Sequence, residues 1–242
     1  MTVMPANPLV ILLLTLLGVV AYRIGALDFK GSIGAVFVGL CIIQLGGIPT
    51  FLALSTFFTL GVLATKYRYG EKVRKGIAQS KSGRRGLGNV LGNGLAPVLF
   101  LIVESYLKQD VFWAATFASI ATVNGDTLAS ELGKVLGRNP RLITNLKPVS
   151  PGTNGAVSLQ GEIIALAGAF VIALFSLPMT AHPMEMLIAV TLGGFLGVNV
   201  DSIIGATLEE KRITDNNSTN FLASLIGGAL GAGLFYAFTW GG

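Results

Sequence analysis

One cysteine, Cys41, and one histidine, His182, stand among the 242 residues. A lone cysteine excludes a disulfide framework and a cysteine-ligated metal site. A lone histidine excludes a histidine-cluster zinc site and counts against a Ser-His-Asp triad. Charged residues make up 12% of the chain, against about 25% in an average soluble domain. The chain is therefore no disordered polymer, secreted mini-protein or soluble nucleic-acid binder. What it has in excess is apolar surface: 52% hydrophobic residues and 32 glycines. A soluble fold could not keep so apolar a surface, whereas glycine-rich helices suit close packing in lipid. The composition predicts an all-α, polytopic integral membrane bundle, with residues 1–242 forming one membrane domain.

A hydrocarbon core of about 30 Å takes about 20 apolar residues of helix. Eight segments qualify: 9–27, 31–46, 49–65, 89–107, 111–124, 156–177, 185–206 and 221–240. Those starting at Gly31 and Val111 are short, so the expectation is seven to eight transmembrane helices. The first segment has no basic leader and no clear cleavage site and reads as a retained span. With the basic stretch 66–85 placed in the cytoplasm and the spans alternating from it, every one of the 17 Lys and Arg except Lys108 falls on that side, a strong positive-inside signal. The net charge of +5 then needs no nucleic acid to explain it. Both termini fall outside, and the cytoplasmic loops are 66–88, 125–155 and 207–220. The outer loops are short, so the chemistry is expected at the cytoplasmic face.

Ionisable groups at membrane depth are costly and point to function. Asn124-Gly125-Asp126-Thr127-Leu128 and Asn199-Val200-Asp201-Ser202-Ile203 repeat one pattern near the cytoplasmic end of two inward-running spans. Two carboxylates with neighbouring hydroxyls and amides are hard oxygen ligands that suit Mg²⁺. Alternatively, each Asp ends or caps a helix. Asn89 and Asn93 share a helix face at i, i+4, either for a site or for interhelical hydrogen bonds. Glu104 snorkels outward in the simplest reading, and Glu162 fits either a structural pair or a site. Residues 147–155, from Lys147 through Pro151-Gly152-Thr153-Asn154-Gly155, place a glycine-bearing turn directly before a span, a ready anion site, with Lys147 adding a point charge. The basic loop holds eight Lys or Arg and one acid. It serves either anionic lipid head groups or a phosphorylated substrate, for which Lys75, Arg84 and Arg85 are the candidates. Gly227-x-x-x-Gly231 is a close-packing seam whose partner is either internal or a second copy in a homodimer. Thr219 or Asn220 is expected to cap the last helix.

These motifs, in order from about Gly31 to the end, resemble the domain-of-unknown-function 92 family, also called the transmembrane protein 19 family. They are Thr65-Lys66, Asn93-Gly94, Gly125-Asp126-Thr127-x-Ala129-Ser130-Glu131-x-Gly133, Lys147 to Gly155, and Asp201-Ser202-x-x-Gly205. Plant and cyanobacterial members of that family include phytyl-phosphate kinase of tocopherol and phylloquinone biosynthesis. The Asp126 motif with Lys147 and Gly152 is also similar to the nucleotide motif of dolichol and phytol kinases, which use CTP. The resemblance implies a transferase that phosphorylates an isoprenoid monophosphate, such as phytyl or geranylgeranyl phosphate, with Mg²⁺ and CTP or another nucleoside triphosphate. It implies Asp126, Asp201 and Lys147 as catalytic residues, with both Asp on the metal. Glu131, Gly152, Thr153, Asn154 and Gly155 would hold the nucleotide. Lys75, Arg84, Arg85, Asn89 and Asn93 would hold the substrate phosphate. The chain departs from the family pattern at Asn124, Leu128 and Asn154-Gly155-Ala156. Rival readings are a cytidylyltransferase making a CDP-lipid and an ion-coupled transporter using Asp126, Glu162 and Asp201. The partners expected are the bilayer and the lipid phosphate, with no nucleic acid.

Overall fold

The computed structural model describes residues 7–79 and 81–241. The helices, in chain order, are α1 (Pro8–Arg23), α2 (Phe29–Lys66), α3 (Tyr69–Arg74), α4 (Leu87–Leu107), α5 (Asp110–Leu136), α6 (Leu159–Ala173), α7 (Pro183–Ile204) and α8 (Asn216–Trp240). Two-residue strands β1 (Arg141–Leu142) and β2 (Ala156–Val157) pair antiparallel between α5 and α6. Helix α6 runs on as a 3-10 turn, Leu174–Met179, and α7 as a π turn, Gly205–Glu209.

Helix α2 is two antiparallel legs. A straight helix of 38 residues would be about 57 Å long, yet Lys66 Nζ donates to Ile24 O at 3.3 Å, so its two ends lie together. The reversal falls at Gly47, whose φ of 70° and ψ of −167° are open only to glycine. Pro49 follows in the first turn of the second leg, where its missing N–H costs nothing. The expected spans 31–46 and 49–65 are these legs, and among the described residues the helices make eight passes of an all-α bundle. Among the described residues five helices are long and apolar enough to cross a membrane: α2, α4, α6 with its 3-10 turn, α7 with its π turn, and α8.

Helix α5 lies at the centre, with residues 114–125 buried without interruption. Eight of these twelve residues are Ala, Thr, Ser or Gly, small enough for neighbours to come close, which a lipid-free position requires. Two loop boundaries move accordingly. The segment 125–155 is helical as far as Leu136, which puts Asp126 inside a helix. The segment 207–220 contributes the start of α8. The cap of α8 is Asp215, which accepts from Ser218 N at 2.8 Å and Ser218 Oγ at 2.6 Å; Thr219 and Asn220 are turned inward and buried. Side-chain hydrogen bonding from Ser218 is the main reason the Asp215 carboxyl sits below its ordinary pKa.

The Gly227/Gly231 seam is internal. A Cβ on Gly193 would lie 2.5 Å from Gly231 Cα, and one on Gly227 would strike Thr122 Oγ1. Gly233 has open space around its Cβ direction. Gly193→Ala should therefore destabilise the bundle by about 1–3 kcal/mol, while Gly233→Ala stays within about 0.5 kcal/mol. Reversible unfolding in mixed micelles measures both. Equal effects at the two sites would show that the α7–α8 contact does not carry the packing.

Candidate functional site

At the end of the bundle where Ile24 meets Lys66, a polar cavity of about 300 Å³ opens between α5, α7 and the loop joining α5 to α6. Two helix faces build it. From α5 come Asp126, Ala129, Ser130, Gly133 and Lys134; from α7 and its π turn come Val198, Asp201, Ser202, Gly205 and Glu209. The α5 set falls at i, i+3, i+4, i+7 and i+8, and the α7 set at i, i+3, i+4, i+7 and i+11, each the spacing of one helical face. The two Asp motifs thus meet, as the repeated pattern implied. Their Asn members serve as struts to α6: Asn124 Nδ2 donates to Gly168 O at 2.8 Å, and Asn199 Nδ2 to Glu162 Oε2 at 3.2 Å. Thr127 is buried away from the cavity, and Ser130 supplies the α5 hydroxyl instead.

The turn Pro151–Gly155 forms the third wall. Gly152 and Gly155 have φ of +85° and +70°, and a Cβ on Gly155 would strike Ala206 Cβ and lie 2.5 Å from Ser202 O. Glycine is required there for the turn to seat against α7. Asn154 Nδ2 donates to Glu209 Oε1 at 3.0 Å, and Thr153 Oγ1 donates to Ser150 O at 2.8 Å. The turn does not open directly into a helix: β2 intervenes, and α6 starts at Leu159 behind its cap Ser158, whose hydroxyl accepts from Gly161 N at 3.2 Å. Ser158 and Gly161 line the cavity.

Several site residues predicted from the sequence fall elsewhere. Lys147 is exposed and contributes nothing to the cavity wall. Glu131, five residues after Asp126, faces away from the cavity. It is buried against Lys72 Nζ at 2.6 Å and Lys134 Nζ at 3.0 Å. Lys75 is on the surface, paired with Glu71 at 2.7 Å, and this hydrogen bond chiefly lowers the Glu71 pKa. Arg84 is exposed over Gly25. Of the charged residues facing the cavity, the sequence reading missed Lys134 and Glu209. Helical phase was the available signal, since each stands eight residues after an Asp of the pair.

Arg85, Asn89 and Asn93 do come together, at one end of a second, apolar cavity of about 300 Å³ between α1, α2 and α4. It extends to Leu14, Gly39 and Phe51. Backbone bonds hold Arg85 in place: its N–H donates to Ala26 O and its carbonyl accepts from Asp28 N, both at 3.0 Å. Its guanidinium lies over the Phe57 ring at 5.5 Å and against Gly61. Among the described residues it makes no ion pair. Burial is the largest influence on it and lowers its pKa, while the charges of Glu131 and Asp126 oppose this; the group stays protonated. The groove head and the carboxylate cavity are adjacent. Asn93 Nδ2 donates to Asn89 O at 2.9 Å, and Asn220 lies 3.1 Å from Asn93. With its nitrogen turned to the cavity, Asn220 donates to Asp201 Oδ2 at 3.3 Å and Asn216 O at 3.0 Å.

Asp126 and Asp201 have no ion-pair partner within 4 Å among the described residues. They share one polar cavity with the Ser130 and Ser202 hydroxyls. That donor set fits a hard divalent cation that keeps part of its water, although among the described residues no three His, Cys, Asp or Glu stand close enough together to hold a metal ion by themselves.

Fold and site define a polytopic integral membrane protein with a carboxylate-lined cavity beside an apolar groove. The chain belongs to the family described as integral membrane protein DUF92, whose model matches residues 12–228. It is 34% identical over 223 residues to an uncharacterized membrane protein of Methanocaldococcus jannaschii, covering 91% of each chain. It is 34% identical over 188 residues to an uncharacterized membrane protein of Synechocystis, covering 76% of this chain and 73% of that one. Against Protein VTE6, chloroplastic, of Arabidopsis thaliana the identity is 30% over 191 residues, 76% of this chain and 57% of that protein. No solved structure matches.

A cation bound between the carboxylates stabilises the fold by RT ln(1 + [L]/Kd), about 2.7 kcal/mol at 100 times Kd. Mg²⁺ titration should raise the unfolding temperature of the wild-type protein and leave Asp126→Asn and Asp201→Asn unmoved. An equal rise in all three would place the cation elsewhere.

Proposed function

We propose that this protein is a CTP-dependent isoprenoid monophosphate kinase that makes the lipid diphosphate at the cytoplasmic membrane face. The observation that carries the reading is the adjacency of the two cavities. An arginine without an ion-pair partner among the described residues heads an apolar groove, and two carboxylates lie just beyond it. A lipid phosphate is apolar along its tail and anionic at its head, and that groove has the same polarity. The motifs shared with phytyl-phosphate kinase support the substrate class, and the dolichol-kinase-like motif supports the donor.

In this reading Arg85, Asn89 and Asn93 bind the acceptor phosphate, with Arg favoured for its forked geometry. The turn 152–155 takes the nucleotide phosphates on its backbone N–H groups. Asp126 and Asp201 would hold Mg²⁺, which supplies charge neutralisation on the transferring phosphoryl group. An oxygen of the lipid phosphate forms a bond to the γ-phosphorus of CTP, the bond from that phosphorus to the β–γ bridging oxygen breaks, and CDP leaves. The attacking oxygen is already ionised, so no general base is needed. Positioning and electrostatics carry the rate.

The test uses the full chain in nanodiscs with Mg²⁺ and phytyl or geranylgeranyl phosphate, comparing CTP labelled at the γ- and α-phosphates. Label from the γ-position in the lipid is expected, falling by about 100-fold or more in Arg85→Ala and lost in Asp126→Asn. Label from the α-position instead would make the protein a cytidylyltransferase. No label with any lipid phosphate or nucleotide, together with ion flux in proteoliposomes, would make it a transporter.

A further inference from the structure

The buried acid Glu131 is shared by two lysines. Its Oε2 accepts from Lys72 Nζ at 2.6 Å and its Oε1 from Lys134 Nζ at 3.0 Å. Lys72 is fully buried. Its other bonds go to Ala64 O at 2.8 Å and Thr65 O at 3.2 Å, carbonyls at the end of α2 that the helix leaves without a partner. All three of its donors are spent, and it cannot leave without stranding a buried carboxylate. One acid and two cations leave one positive charge over. That charge is on Lys134, which lines the polar cavity and is the one Lys or Arg among its described lining residues.

The position of Lys134 suits an anion that is itself bound to a cation. It stands on the same α5 face as Asp126, about 12 Å further along the axis, and helical side chains lean back toward the N-terminus, which is toward Asp126. Glu131, one turn earlier, accepts from its Nζ at 3.0 Å and fixes where the ammonium lies. The turn holding Gly152 and Gly155 forms the facing wall. Four acids also line the cavity: Asp126, Glu162, Asp201 and Glu209. With them present, a polyphosphate needs both a metal at the paired Asp and a cation on the wall.

We propose that Lys134, and not Lys147, is the side chain that grips the phosphate chain of the cavity's ligand, and that Glu131 and Lys72 are positioning residues that hold it there. The identity of the ligand as a nucleotide rests on the kinase reading; the assignment of the grip to Lys134 does not. Lys72 adds a structural consequence: the same lysine closes the end of α2 whose Gly61 seats Arg85, so the groove head and the nucleotide wall share one brace.

Binding of Mg²⁺-tripolyphosphate and Mg²⁺-CTP to the full chain in nanodiscs tests this. Lys134→Ala should weaken both by about tenfold or more, and Lys134→Arg should restore most of the loss. Glu131→Gln should weaken both as well, and the double variant Glu131→Gln/Lys134→Ala should be no worse than Lys134→Ala alone, the non-additivity expected of residues acting through one another. A purely structural role for Glu131 would give additive losses. Tripolyphosphate affinity that survives in Lys134→Ala, falls in Lys147→Ala, or is absent from the wild-type protein would overturn the proposal. If tripolyphosphate binds through Lys134 but γ-phosphate never reaches a lipid, the kinase reading fails and this assignment stands. If transfer proceeds and the KM for CTP is unchanged in Lys134→Ala, this assignment fails and the kinase reading stands.

Discussion

Thr122 of α5 fits a slot made by Gly197 of α7 and Gly227 of α8, where a Cβ on either glycine would strike its hydroxyl. That hydroxyl is turned back to Ala118 O at 2.9 Å, so the contact is steric and asks for no polar partner. In lipid there is no hydrophobic drive between helices, and close packing of small residues takes its place. With Gly125 against Ala165 and Gly194 against Ala121, α5 is held by α6, α7 and α8 at near-backbone distance. Asp126 follows one turn later. Its meeting with Asp201 across the cavity depends on that packing, because a helix standing off by a large side chain would open the carboxylate pair.

The electrostatic plan follows from the same geometry. Asp126 and Asp201, on the cavity face of α5 and α7, have no ion-pair partner among the described residues, whereas the acid on the opposite face, Glu131, is saturated by protein. Burying Lys72 and Glu131 carries a desolvation cost that only complete pairing offsets, and here all three Lys72 donors and both Glu131 oxygens are used. At the opposite end of the bundle Lys108 pairs at 3.3 Å with Glu104, which is buried and does not snorkel outward, and Thr180 Oγ1 donates to Asp110 at 2.6 Å. The concentration of polar chemistry at one end supports the proposed phosphoryl transfer over an ion path, whose acids would be spread along the membrane depth.

Much of this was legible in residue order. Hydropathy marks the apolar segments, because a bilayer demands about 20 apolar residues per crossing. Gly47 and Pro49 mark the break between two of them, because only glycine takes that backbone conformation. The repeated Asn-x-Asp-hydroxyl pattern marks the carboxylate pair, and Asn89, Asn93 and Arg85 mark the groove head. Tertiary structure alone decided the rest. It carried α5 through Asp126 to Leu136, because interior packing rather than hydropathy sets where that helix ends. It moved the cavity's cation from Lys147 to Lys134, because a lysine's reach depends on helical phase and on which carboxylate pins it. It turned Asn220 from a cap into a link between Asn93 and Asp201, because Asp215 stands first at the helix start. Residue order specifies which groups can do chemistry in a membrane. Which of them face one another depends on the distances between helices, and those are set by contacts far apart in the chain.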